Sequence, residues 1–196
     1  MNQPALALID FDSIAAGIEA ADAMAKRAQI ELLRVGTVQP GRYLVLIGGT
    51  VADVEESFAA GLEVGSNAVL DRVFLPHVHP EVVSALAGGR VPDVRDALGV
   101  VETATVASVI RAADAGVKGA DVRLVEVRLA DGLGGKGVVL FSGRVADVEA
   151  AVEIGVSSLD SPTLLVRQVV IPQLHETLWD NVSDASRFSA RVLEKL

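Results

Sequence analysis

The chain has 196 residues, a net charge of −9 and no cysteine, and 51% of its residues are apolar although only 4% are aromatic. The missing cysteines exclude disulfides, thiolate catalysis and Cys-ligated zinc or iron–sulfur centres, and the acidic balance argues against nucleic acid as a partner. The N-terminus carries no recognisable secretion signal, and no uncharged apolar stretch approaches the length of a membrane span. We therefore expect a cytoplasmic protein without a membrane partner.

The first element along the chain is a short apolar strand over residues 5–11, followed by a helix that runs to about residue 28. Asp12 and Ser13 precede this helix and are typical N-cap residues, because their side-chain oxygens accept hydrogen bonds from the free N–H groups of a first turn. The apolar residues at helical spacing, which we predict to form the buried stripe of the helix, are Ile14, Ile18 and Ala21.

A hairpin follows, with strands over residues 30–38 and 43–47. The connecting Gln39-Pro40-Gly41 is typical of a tight turn, because Pro fixes one turn dihedral and Gly tolerates the next.

Thr50 then offers a cap for a second helix, whose apolar residues at helical spacing are Val51, Val54 and Phe58. A last strand over residues 68–75 ends at Pro76, and a short helix is expected from about residue 80.

The same order of elements occurs a second time, displaced by 92 to 96 residues, and Val51–Glu55 recurs letter for letter as Val145–Glu149. A period of this length marks two domains rather than a solenoid. We predict one domain over residues 1–94, a second over 95–182 and a tail over 183–196. The order strand, helix, strand, strand, helix, strand predicts an α+β fold of two tandem ferredoxin-like domains, each an antiparallel four-stranded sheet with helices on one face.

Two features that could indicate chemistry are better explained as structure. The run Gly132–Gly137 matches the dinucleotide pattern G-x-G-x-x-G, but a strand follows it where a nucleotide site needs a helix. His79 and His175 lie at equivalent places in the two repeats, His77 lies two residues before His79, and none of the three has a nucleophile or orienting carboxylate at a useful spacing. We therefore predict no catalytic site, no metal site and no bound cofactor, so the chain is not expected to be an enzyme.

Several motifs shared by the two repeats carry a resemblance to a known family. Each first helix ends in Asp-Ala-x-x-Lys, at Asp22–Lys26 and Asp114–Lys118, and each repeat has the Val-Ala-Asp-Val-Glu helix start and a strand that ends near Pro-x-x-His. The chain resembles the shell domain of bacterial microcompartments over residues 4 to about 182. It is most similar to the tandem-domain members of propanediol-type compartments.

The resemblance implies a structural shell protein: a homotrimer that forms a pseudohexagonal tile with a central pore for small polar metabolites. The tile would pack against neighbouring hexameric and trimeric shell proteins in the shell of a cytoplasmic microcompartment. The hairpin loops would line the pore with Val38, Gln39, Pro40, Gly41, Ala130, Asp131, Gly132 and Leu133. The tile edges would use Lys26, Lys118, His77, His79, Gln173 and His175.

One departure from the family pattern bears on cofactors. In the tandem-domain subclass that the chain most resembles, a pore-loop cysteine of each subunit binds a shared iron–sulfur cluster, whereas Gln39 stands at that position here. An amide is a poor ligand for iron, so the cluster is not expected.

Two alternatives remain open from the residues alone. Tandem ferredoxin-like domains also occur in soluble regulatory or ligand-binding proteins, which differ from shell tiles in their mass in solution. The tail carries Phe188, Val192 and Leu196 at roughly helical spacing, so it is either a docking helix for cargo or a neighbouring tile, or a segment that packs on its own subunit or frays.

Overall fold

The structure is a computed structural model that describes residues 5–89 and 96–184. The elements of the first repeat are β1 (Ala5–Phe11), α1 (Ile14–Arg27), β2 (Leu32–Val38), β3 (Arg42–Gly49), α2 (Val51–Val64), β4 (Val69–Leu75) and α3 (Pro80–Leu86). Those of the second are β5 (Ala97–Thr103), α4 (Val106–Gly119), β6 (Arg123–Leu129), β7 (Gly137–Gly143), α5 (Val145–Ser157), β8 (Leu165–Ile171) and α6 (Glu176–Asp184).

Each repeat builds one antiparallel four-stranded sheet, in the order β2-β3-β1-β4 and β6-β7-β5-β8. These two orders are the same arrangement, and they are the ferredoxin-like order that the sequence predicts. Equivalent residues keep their neighbours: Leu8 lies beside Val73 in the first sheet, and Val100 lies beside Val169 in the second. The predicted fold class is confirmed.

Helix starts follow the predicted capping chemistry in the first repeat. The Ser13 hydroxyl accepts a hydrogen bond from the N–H of Ala16 at 3.3 Å, and the Thr50 hydroxyl accepts one from the N–H of Asp53 at 3.3 Å. Each bond satisfies one of the four N–H groups that a helix start leaves without an intrahelical partner.

One face of the first sheet packs against α1 and α2. Alternate residues of β1, ending in Ile9 and Phe11, pack with Met24 of α1 and Val54 of α2. The two helices approach closely because α2 carries Gly61 at their crossing, where any side chain would collide with the sulfur of Met24. This close approach explains why a glycine recurs at the equivalent place in the second repeat.

The predicted buried stripe of α1 is wrong at two of its three residues. Ala21 is buried, but Ile14 and Ile18 are exposed, and the helix buries Gly17, Ala20, Ala21 and Met24 instead. Helical spacing identified an apolar face correctly, yet the face that packs on the helix's own sheet is the one made of small residues. The two isoleucines point away from that sheet.

The opposite face of the first sheet is covered by the second repeat. Leu8 and Val73 on this face belong to one continuous apolar cluster with Ile110 of α4 and Phe141 of β7. The helix α3 adds Val82 to the same cluster. The two repeats therefore share a core. The predicted domain boundaries stay predictions, and the tail residues Phe188, Val192 and Leu196 lie outside the described residues.

Candidate functional site

The contact between the repeats, which we call the seam, is formed by α4 lying against the free face of the first sheet and against α3. Burial of α4 is unusually complete for a helix with one sheet of its own. Ten of its 14 residues are buried, whereas the equivalent α1 buries four of 14. The difference arises because α4 has a neighbour on both sides and α1 has a neighbour on one.

Polar contacts hold one end of the seam at the N-terminus of α4. The carboxylate of Asp71 in β4 accepts hydrogen bonds from the Thr105 hydroxyl and, at 2.8 Å, from the Ser108 hydroxyl. A carboxylate at this position also suits the positive end of the helix dipole. These residues were not identified from the sequence, since the Asp71 position of one repeat carries Arg167 in the other.

A second set of contacts holds the other end of the seam. The Lys118 ammonium donates to the carbonyl oxygen of His77 at 2.5 Å and to Asp114 at 2.6 Å, and Asp114 also accepts from the N–H of His79 at 2.8 Å. Lys118, His77 and His79, which the sequence predicts at a tile edge, therefore lie at this end of the seam. Whether they also contact a neighbouring tile stays a prediction.

The seam has a defined direction. Val106 and Lys118 are 12 positions apart on α4, which corresponds to about 18 Å at 1.5 Å per residue. At the Val106 end lie the hairpin loops, and at the Lys118 end lies the segment that follows β4. The two ends therefore present quite different groups to any further copy of the chain.

The hairpin loops of the two repeats contact each other. The Arg42 guanidinium donates to the carbonyl oxygen of Gly135 at 3.2 Å, and a side chain at Gly135 would meet Arg42 at 2.9 Å and Pro40 at 3.0 Å. Since Gly135 has a positive φ of 86°, glycine is favoured there by both backbone and space. The tips of both hairpins thus lie side by side in one chain.

The side chains at these tips differ in exposure. Gln39, Pro40, Gly41, Asp131 and Gly132 are exposed, while Val38 and Leu133 are half-buried. Ala130 is buried, and its N–H donates to the carbonyl oxygen of Lys136 at 2.9 Å, which closes the loop. Ala130 is therefore removed from the residues that could line an opening.

An ion pair recurs beneath each loop. Arg42 pairs with Asp10 at 3.3 Å in the first repeat, and Lys136 pairs with Glu102 at 2.8 Å at the equivalent place in the second. Asp10 is fully buried. Burial raises the pKa of Asp10 to about 6, the Arg42 charge opposes the rise, and the neighbouring Asp71 carboxylate adds to it. The N–H of Val106 at the start of α4 faces the same carboxylate, so Asp10 connects the loop to the seam.

His79 and His175 have the structural role that the sequence indicates. The Nδ1 atom of His79 accepts from the N–H of Glu81 at 3.3 Å and caps α3, and His175 accepts from the N–H of Thr177 at 3.3 Å in the same way. In both repeats the imidazole thus caps the start of a helix, which is a conformational role.

Chemistry at the remaining motifs is limited. The run Gly132–Gly137 leads into β7, so the phosphate-binding interpretation fails for lack of a helix N-terminus. The chain has no cysteine, and Gln39 offers an amide, so the loop does not fit a thiolate-ligated iron–sulfur cluster. Within residues 5–89 and 96–184, no three His, Asp or Glu residues form a metal-ligand group.

The helices described in those ranges are too short or too polar to span a bilayer.

Each half of the seam occurs again, uncovered, elsewhere on the chain. On α1, Ile14 and Ile18 are exposed at the positions where α4 buries Val106 and Ile110. We call this surface, with Val35 of β2, the open helix side.

The complementary surface is on the second repeat, where Val169 is 40% exposed at the position of Val73, which is 1% exposed. Leu178 of α6 is 48% exposed at the position of Val82, which is 0% exposed. We call Val169 and Leu178 the open sheet side. The chain therefore ends on one side with an unpaired helix surface and on the other with the sheet surface that such a helix covers.

Comparison with known proteins assigns the chain to a family. The model of the BMC domain matches residues 5–78 and again 97–174. The bacterial microcompartment shell protein PduT of Citrobacter freundii is 41% identical over 175 residues, which cover 89% of this chain and 95% of that protein.

One solved structure supports the same assignment and a second shares the fold. A microcompartment protein of Desulfitobacterium hafniense is 45% identical with a TM-score of 0.79, covering 90% of this chain and 98% of that one. The fused permuted hexameric shell protein MSM0275, at 20% identity and a TM-score of 0.59 over 79% of this chain and 83% of its own, shares the fold. Members of this family are structural and not enzymes. The chain belongs to the BMC-domain family and is a tandem-domain shell protein of bacterial microcompartments.

Proposed function

We propose that three copies of this chain close into a ring of six BMC domains, forming a homotrimeric plate with an opening at its centre. What supports the ring is that the open helix side and the open sheet side repeat the two halves of the seam. A contact between two unlike surfaces of one chain either closes into a ring or grows into a filament. With two domains per chain, three chains give the sixfold outline of a hexagonal tile.

The direction of the seam suggests which groups lie near the axis of the ring. Every seam in such a ring runs from the centre to the rim, so one of its two ends faces the axis. We assign the hairpin end to the centre, because the loops of both repeats already meet there. The lining residues are then Val38, Gln39, Pro40, Gly41, Asp131, Gly132 and Leu133.

An opening lined in this way passes small polar metabolites. The Gln39 amide donates and accepts hydrogen bonds, and Asp131 contributes an exposed carboxylate. Selection among solutes would follow from the diameter of the opening and from these lining groups, as in other selective pores. No electron transfer is assigned to the opening, because its residues do not fit a cluster.

The opposite end of each seam then lies at the rim of the plate. Lys118 and Lys26 end the first helices of the two repeats, and both side chains retain solvent exposure, 39% and 74% respectively. We propose that this rim contacts neighbouring hexameric and trimeric shell proteins in a cytoplasmic microcompartment. The rim residues are Lys26, Lys118, His77, His79, Gln173 and His175.

The experiment is a cross-linking test of Gln39, made possible by the absence of native cysteine. The variant Gln39→Cys is treated with a short trifunctional maleimide, and we expect a species of three chains on a denaturing gel. The matched control is Ala59→Cys, an exposed residue of α2, which should remain as single chains. A Gln39→Cys protein that has the native mass of three chains but does not cross-link would overturn the assignment of the opening.

The alternative of a soluble ligand-binding protein is set aside. The structural role in a shell follows from the family, since the matched relatives are shell proteins over nearly their whole length.

A further inference from the structure

The seam inside the chain carries an acidic group on its sheet half and a basic group on its helix half. Asp71 of β4 lies against the first turn of α4, and Arg111, one turn further along α4, donates to the carbonyl oxygen of Arg72 at 3.3 Å and pairs with Asp160 of its own repeat at 3.0 Å. The acid thus comes from the first repeat and the base from the second.

The two open sides carry the opposite charges at the same positions. Arg167 of β8 is equivalent to Asp71, because Arg167 lies beside Glu102 in the second sheet where Asp71 lies beside Asp10 in the first. Glu19 of α1 is equivalent to Arg111, and both Arg167 and Glu19 are exposed. The residue before the cap of α1, Asp12, is also exposed and acidic where the second repeat has an alanine.

Apolar contact alone does not distinguish the two kinds of joint. Ile14 and Ile18 of the open helix side are aliphatic like their counterparts Val106 and Ile110 of the seam, and Val169 matches Val73. If apolar contact alone decided, the sheet face of either repeat would therefore bind the first-helix face of either repeat. Specificity between such similar partners requires an interaction that lowers the free energy of one pairing and raises that of the others.

We propose that the swapped charges make the open sheet side selective for the open helix side of another copy of this chain, with Arg167 seated against Asp12 and Glu19 of that copy. This inference rests on the proposed ring. In this joint, a base on the sheet meets acids on the helix.

The alternative joints arise only if the seam opens and repeats are exchanged between chains, and they bring like charges together. A first-repeat sheet against a first-repeat helix would place Asp71 beside Glu19, and a second-repeat sheet against a second-repeat helix would place Arg167 beside Arg111. Like charges in contact disfavour these joints. Alternation of first and second repeats around the ring already follows from two repeats per chain, and the charges disfavour the exchange of repeats between chains.

The test uses charge reversal in the full chain. Arg167→Asp should lower the association constant of the trimer at least tenfold at low salt, measured by sedimentation velocity over a dilution series, and so should Glu19→Arg. The combination of both changes in one chain should recover most of the loss, because the pair is restored with reversed sign. Arg144→Asp, at an exposed arginine before α5, makes the same change in net charge and should leave association unchanged.

A mixture of the two single variants adds a test of ring parity. A contact between two different variants pairs opposite charges, whereas a contact between two chains of the same variant pairs like charges. A ring of three chains has at most two contacts of the first kind, so recovery on mixing should be partial. Full recovery on mixing would indicate a ring with an even number of chains and would contradict the trimer. Circular dichroism of each variant verifies that it is folded.

The two proposals fail in different ways. If the unaltered chain is monomeric, the ring and the charge selection are both overturned. If the unaltered chain is trimeric and Arg167→Asp associates as well as Arg144→Asp does, the ring stands and the charge selection is wrong.

Discussion

Ile18 and Ile110 occupy equivalent positions of the two repeats, yet Ile110 is 0% exposed and Ile18 is 53% exposed. The same side chain on the same helix face is covered in one repeat by the sheet of the other and is left open in its counterpart. This difference locates the surface on which a second copy of the chain is proposed to sit.

Substitution at these two isoleucines should separate folding from assembly. Ile110→Ala removes buried methylene groups and should lower the free energy of unfolding by about 2–5 kcal/mol. Ile18→Ala should change the unfolding of the dissociated chain by less than about 1 kcal/mol, since half of its surface is already in water. Urea unfolding at a concentration where the chain is monomeric measures both values.

The assembly readout for the same pair is the trimer fraction by sedimentation. Ile18→Ala should reduce it, whereas Ala15→Ser, at an exposed position of the same helix, should not. Equal unfolding losses at the two isoleucines would contradict the difference in burial on which the ring depends.

Asp10 should make stability depend on pH in an identifiable way. Its pKa is about 6 in the folded chain, against 3.8 for an unperturbed aspartate, so the folded state holds the proton more tightly. The contribution of Asp10 is therefore most favourable below pH 4 and is lost as the pH rises to about 6, by about 2–3 kcal/mol at ~1.4 kcal/mol per pKa unit.

The measurement is the difference in unfolding free energy between the unaltered chain and Asp10→Asn from pH 4 to pH 8. Relative to the variant, the unaltered chain should lose stability between pH 4 and 6 and change little above that. Asp131→Asn, at an exposed carboxylate, serves as the control and should show no such difference. A flat difference for Asp10→Asn would mean that this carboxylate titrates at its ordinary pKa.

Lys26 and Lys118 should respond differently to the same substitution. Lys118→Asp removes two hydrogen bonds at the seam and places a carboxylate beside Asp114, so it should lower the free energy of unfolding by about 1–3 kcal/mol. Lys26 pairs with Asp22 on an exposed helix surface, where an ion pair contributes less than about 1 kcal/mol.

Lys26→Asp should therefore leave the chain folded and the trimer present while preventing the growth of extended sheets. Electron microscopy of concentrated protein provides the assembly readout. Sheets of normal extent from Lys26→Asp would show that Lys26 does not act at the rim.

Much of the fold could be predicted from local patterns. The caps Ser13 and Thr50 and the turn at Gln39-Pro40-Gly41 are determined by neighbouring residues, so the sequence alone locates the first repeat's elements to within about two residues. Because the two repeats align, the same order of helices and strands could be predicted for the second repeat. In the structure the two Asp-Ala-x-x-Lys motifs form i,i+4 ion pairs, Lys26 with Asp22 and Lys118 with Asp114.

The seam could not be predicted in this way, because it joins residues that are far apart in sequence. Asp71 and Ser108 are 37 positions apart, and neither has a counterpart of the same kind in the other repeat. The error at Ile14 and Ile18 has the same origin. Helical spacing shows that a face is apolar, but it does not tell whether the helix's own sheet or another domain covers that face.

The ring of six domains is tested by the native mass of the unaltered chain together with its appearance in the electron microscope. We expect particles with three times the 20.4 kDa of one chain, seen face-on as six-lobed rings with a hole at the centre. A particle of one chain at micromolar concentration, or a ring whose hairpin loops lie on the outer rim, would contradict it.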